Sequence, residues 1–155
     1  MREHGYSETE AHAAAADADG SIGRALAAES ADVAGARDTA RQLLEHAARV
    51  SDPARRIDGA RDLTGKKSTS AGERDHLAAC LRSLASLVRD LGILGSHADT
   101  RMIANADLQP DLERLGKAYD SDRTDRAYVA IDRALGALER NASPKVVADW
   151  LVLQL

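Results

Sequence analysis

A chain of 155 residues has room for one compact domain with a core, or for one such domain and a small appendage. Apolar residues reach 44% but aromatics only 3%, with no Phe and one Trp, so the core is left to Leu, Ala, Val and Ile, a palette that suits helix packing. The net charge of −4 is mixed along the chain and argues against a phosphate-neutralising DNA binder; the lone Cys80 excludes an internal disulfide, and the absence of a signal stretch or long apolar run predicts a soluble, cytoplasmic protein with no membrane partner.

Ser7 and Glu10 have the spacing of a capping box and predict a short helix from Glu8 to about Asp17, stopped by Asp19-Gly20. Ser21 opens a second segment from Ile22 to about Glu29, so the first thirty residues read as a helical hairpin. A longer helix is expected from Ala31 to Val50, with Ala36, Ala40, Leu43, Leu44, Ala47 and Val50 on one stripe. Ser51-Asp52-Pro53 ends it and starts another, running to about Leu63. Thr64 to Ser70 is polar and aperiodic, which predicts a surface loop.

The clearest amphipathic stripe follows, through Leu77, Cys80, Leu81, Leu84, Leu87, Val88 and Leu91, and predicts a central core helix in which Cys80 acts as a small buried hydrophobe. From Gly92 to Asn105 the chain reads as loose. Leu108, Leu112, Leu115 and Tyr119 mark a shorter helix with Pro110 near its start. Between Ser121 and Arg140, Ala127, Tyr128, Ile131, Ala134, Leu135 and Leu138 recur at three and four, and Asn141 closes the helix. Ser143-Pro144 then restarts the chain. Val146, Val147, Trp150, Leu151, Leu153 and Leu155 cover so much of the last helix that it is expected to be well buried. The fold class is therefore all-α: a helical bundle over 31–155 preceded by a short hairpin over 1–30.

Motifs that carry chemistry are missing or incomplete. Gly65-Lys66-Lys67-Ser68-Thr69 lacks the earlier glycine of a phosphate loop, where Ala60 stands, and has no strand before it. Asp17-Ala18-Asp19-Gly20 would put Ala15 and Leu26 at the ends of a calcium loop, where acids are needed. His4, His12, His46, His76 and His97 never pair at three or four residues, so no metal site is expected, and no catalytic residue or cofactor stands out. The runs Arg123-Thr124-Asp125-Arg126 and Arg55-Arg56-Ile57-Asp58 read as solvated faces tied by weak ion pairs.

Two stretches resemble a known family. Asp19-Gly20-Ser21-Ile22-Gly23-Arg24-Ala25-Leu26 looks like the lid of a clamp-loader AAA+ subunit, with Arg24 at the sensor-2 position. An arginine beside a helix N-terminus suits a phosphate, but the phosphate-binding loop that such a site needs is not in this sequence, so Arg24 reads equally as a surface arginine capping the lid helix. Arg89-Asp90 late in a long helix, Asn105-Ala106-Asp107, and Asn141 before an apolar terminal segment ending Trp150-Leu151-Val152-Leu153-Gln154-Leu155 occur in the order seen in the C-terminal collar of these subunits.

The resemblance is to bacterial DNA polymerase III clamp-loader subunits, of the delta-prime or the gamma/tau type. It implies a lid remnant over 1–30, a collar domain over 31–155, and an ATPase module preceding Met1 in the whole subunit. The end of the chain at the last collar helix favours delta-prime. The implied partners are the gamma/tau and delta subunits, met through the collar, with DNA and the sliding clamp reached only through the full complex. The implied role is scaffolding, without a cofactor in this part. Trp150, Tyr119 and Tyr128 are the aromatics on hand as interface anchors, although each taken singly reads more readily as plain core. Alternatives are the C-terminal part of an ATP-hydrolysing gamma/tau subunit, in which Arg24 senses nucleotide, and an unrelated helical adaptor that grips a partner helix.

Overall fold

The computed structural model describes residues 30–64 and 70–155, and these are helical with no strand among them. In chain order the elements are α1 (Ser30–Arg49), α2 (Pro53–Gly59), α3 (Arg61–Thr64), α4 (Ser70–Gly95), 3-10 turns at Thr100–Met102 and Ala106–Leu108, α5 (Gln109–Leu115), α6 (Ser121–Glu139) and α7 (Pro144–Val152). The expected hairpin over 1–30, with Arg24, and the Lys66-Lys67 loop lie outside the described residues.

α4 is the axis of the bundle. Leu77, Cys80, Leu81, Leu84, Leu87, Val88 and Leu91 are all buried, as their three-and-four spacing requires of a helix with neighbours on several sides. α1 and α6 make its most extensive contacts, and α3, α5 and α7 complete the enclosure. α1 contributes Ala36, Ala40, Leu43, Leu44 and Ala47; α6 contributes Ala127, Ala130, Ile131, Ala134 and Leu138. Alanines on both flanking helices let them approach the leucine-rich centre closely. Burial raises the Cys80 thiol to about 12, so it stays neutral inside this cluster. No helix among the described residues is long and apolar enough to cross a membrane.

Helix starts follow local rules. The Asp52 carboxylate accepts from Arg55 N at 3.0 Å with Pro53 in the first turn, and Asp120 accepts from Arg123 N at 2.8 Å. Ser143 stands at the cap of α7 without a side-chain cap hydrogen bond, which leaves Pro144 as the starting signal there. The single helix expected from Pro53 to Leu63 is instead two. The chain turns at Ala60, buried in the core, and Gly59 has no side chain because a Cβ there would stand 2.9 Å from the His46 ring of α1. The His46 ring in turn sits 3.1 Å from the Arg55 carbonyl oxygen.

The segment read as loose after Gly95 is held by side chains. Asp90 is 0% exposed, and its carboxylate accepts from Ala104 N at 3.2 Å, Asn105 N at 2.8 Å and Asn105 Nδ2 at 2.8 Å. Asn105 Nδ2 also donates to Ser86 Oγ, and Arg89 stands 3.5 Å from Asp90. Two residues on, Asp107 takes a two-pronged bond from the Arg37 guanidinium, at 3.0 and 2.8 Å. The loop before α5 is thereby fastened to α4 on one side and α1 on the other.

Three further arginines close helix ends. Arg123 donates to the main-chain oxygens of Ala47, Ala118 and Leu155, while Arg56 donates to those of Ala47 and Val50, and Arg74 to that of Leu138. Carbonyls in a last helical turn lack an intrahelical partner, and a guanidinium fork satisfies several at once. This corrects the reading of Arg123 and Arg56 as members of solvated faces. Both turn inward, because the orphan carbonyls at the end of α1 offer more than a surface carboxylate does.

Candidate interaction surface

Among the described residues no three His, Cys, Asp or Glu side chains are grouped to hold a metal ion. The polar side chains that are buried, Asp90, Asn105, Arg37 and Ser83 with Thr124, belong to the helix joints or the core wall rather than to a cleft. The feature that the fold leaves unexplained is apolar and lies on the outside.

α7 has an apolar residue on nearly every side, but this chain covers only half of it. Val147, Ala148, Leu151 and Val152 are buried, whereas Val146 is 64% exposed, Trp150 37% and Leu153 41%. Val146 and Trp150 are one turn apart, with Leu153 a further turn on, so the three share one outward face. The expectation of a well-buried terminal helix is therefore met on one side only. A helix that is apolar all round finds its stability by being covered all round.

Beside that face runs a groove of about 390 Å³ lined by Asp125, Arg126, Val129, Ala130, Arg133, Trp150 and Gln154. Val129, half-exposed, forms the middle of its α6 wall. Tyr128 is 50% exposed but points about 100° away from Val129 round the helix, so it lies on the opposite flank of α6 from Trp150. Of the three aromatics weighed as anchor or core, Tyr119 is core. It is 3% exposed, its hydroxyl lies 3.4 Å from the Leu44 carbonyl oxygen, and the Arg123 guanidinium covers its ring at 4.3 Å. Burial pushes its phenol pKa up, and the Arg123 and Arg56 cations partly oppose this.

Sequence reasoning missed Val129 because it falls off the three-and-four stripe of α6, and it counted Val146 and Leu153 as core. The available signal was an excess: more apolar positions on α7 than one contact face can use.

Among the described residues behind the family resemblance, Asp90, Asn105, Asp107 and Asn141 are at joints. Asp90 of the Arg-Asp pair grips Asn105 of the Asn-x-Asp turn, and Asp107 of that turn binds Arg37. Asn141 has φ 63°, a left-handed conformation that Asn tolerates better than most residues, and Ala142 N bonds back to the Ala137 carbonyl oxygen there. Each is a residue type that its backbone position calls for. No protein-family model, no curated protein and no solved structure matches the chain.

Proposed function

We propose that this chain is a helical assembly module whose α6–α7 face binds other subunits. In particular, it is the lid end and C-terminal collar of a bacterial DNA polymerase III clamp-loader subunit, of the delta-prime type. The observation that carries the reading is the half-covered terminal helix: Val146, Trp150 and Leu153 form an exposed apolar row beside a groove. Exposed apolar rows with an aromatic centre mark protein partners. The order Arg89-Asp90, Asn105-Ala106-Asp107, Asn141 in the sequence is what supports the specific family.

In this reading the module is cytoplasmic, carries no cofactor and performs no chemistry. It keeps gamma/tau and delta subunits in ring order, and DNA and the sliding clamp are met only by the assembled complex. The test is light scattering after gel filtration of the chain alone and mixed with gamma and delta subunits from the same source. A stable mixed complex that weakens with Trp150→Ala is the expected result. Indifference to both partners contradicts the reading and leaves a helical adaptor of another system.

A further inference from the structure

The stretch between α4 and α5 is held differently from the helices around it. Gly95 to Met102 is exposed throughout, and from Ser96 to Asp107 the one buried apolar side chain is Ile103, which stands outside the cluster that forms the core of the bundle. The hold is polar and converges on a single group. Oδ1 of Asp90 accepts from Ala104 N, and Oδ2 accepts from both Asn105 N and Asn105 Nδ2. The closed arrangement also carries costs. Asp90 is withdrawn from water, Asn105 Oδ1 is buried with no hydrogen-bond partner, and His97, at the near end, has φ 54°, in the left-handed range. Lifting the segment relieves each of these and takes one large apolar side chain, Ile103, out of contact.

We infer that residues 96–105 form a latch that opens as a unit while the helical bundle stays folded, with Asp90 of α4 as its catch. Local stability within a fold follows buried apolar contact. A segment fastened by polar groups therefore opens at lower cost than α4 itself, whose stripe from Leu77 to Leu91 is enclosed by other helices. The three donors let go together because they share one carboxylate. Once the Asn105 bonds break, water reaches Asp90 and the remaining bond from Ala104 N competes with it on even terms. The Arg37–Asp107 fork lies just beyond and keeps the start of α5 against α1 when the latch lifts. The latch does not depend on what binds α6 and α7.

The test is amide hydrogen exchange of the full chain, followed residue by residue by NMR in the absence of urea and at low urea. The Ala104 and Asn105 amides are expected to share one opening equilibrium and to be at least about 100-fold less protected than those of Leu84 and Leu87. Their exchange should be nearly flat in low urea, the mark of an opening that exposes little surface. The variant Asn105→Ala removes the side-chain bonds of Asn105 and leaves the Ala104 bond in place. It is expected to speed exchange at Ala104 at least about tenfold, the scale of a lost hydrogen bond to a charged group, with circular dichroism checking that the variant folds. Ala104 and Asn105 exchanging with the protection and urea dependence of Leu84 overturns the inference, because the segment then opens only with the bundle. Unequal opening at the two amides, or an Ala104 rate that Asn105→Ala leaves unchanged, overturns it too, because the bonds to Asp90 then break independently.

Discussion

The outer sides of α1 and of α6 with α7 use similar residues to opposite ends. On α1 the outer charges satisfy one another along the helix, Asp38 to Arg41 to Glu45 to Arg49, and none of its described side chains is a large exposed hydrophobe. On α6 and α7 the charges stand apart from one another and surround Val129, Val146, Trp150 and Leu153. Composition alone does not separate a solvated face from a docking face, whereas the pairing of charges does. A surface whose charges are already paired has little to offer a partner, and one whose charges flank an apolar strip keeps its interactions in reserve.

Substitutions that separate interior joints from outer faces test that contrast, and the joints should show the largest effects. Asp90→Ala removes a fully buried carboxylate and strands the N–H groups of Ala104 and Asn105. It is expected to cost about 4 kcal/mol in urea unfolding, a size typical of broken buried ionic contacts. Arg123→Ala frees the oxygens of Ala47, Ala118 and Leu155 and uncovers the Tyr119 ring. A loss of about 2 kcal/mol is expected, the scale of charge-assisted hydrogen bonds to partly buried groups.

Cys80 offers a third check, because its thiol is raised from an ordinary 9.0 to about 12 in the folded chain. The unfolded thiol ionises first, so the contribution of this site to stability is complete below pH 9 and declines between pH 9 and about 12. In the folded protein at pH 8, alkylation of Cys80 should be limited by opening of the bundle and accelerate on addition of urea.

On the outer faces the effects are small and point in different directions. Glu45→Ala on α1 should cost about 0.5 kcal/mol, the scale of ion pairs three or four residues apart along a helix, and leave association unchanged. Val146→Ser on α7 should change stability by less than about 0.5 kcal/mol yet weaken association. If Glu45→Ala weakens association as much as Val146→Ser does, the division between the two faces is wrong.

Much of this fold was legible because apolar spacing and capping residues are local signals. The stripe from Leu77 to Leu91, the start at Asp52-Pro53 and the burial of Cys80 needed no tertiary information. The split at Ala60 was not legible, since Ala60 turns into a core that other helices complete. Nor was the inward turn of Arg56 and Arg123, whose partners are backbone carbonyls brought near by the fold. For the candidate surface, Trp150 and Tyr128 were legible as the rare aromatics, but the sequence could not tell them from Tyr119. All three sit at plausible helical positions, and only packing decides which is covered.

Trp150 is the chain's one tryptophan, so labelling with 5-fluorotryptophan gives a single fluorine resonance at the centre of the face in question. This resonance is expected to shift or broaden as unlabelled gamma and delta subunits are added to saturation. A resonance that stays unchanged while light scattering reports a complex would contradict this expectation, because the subunits would then be binding elsewhere on the bundle.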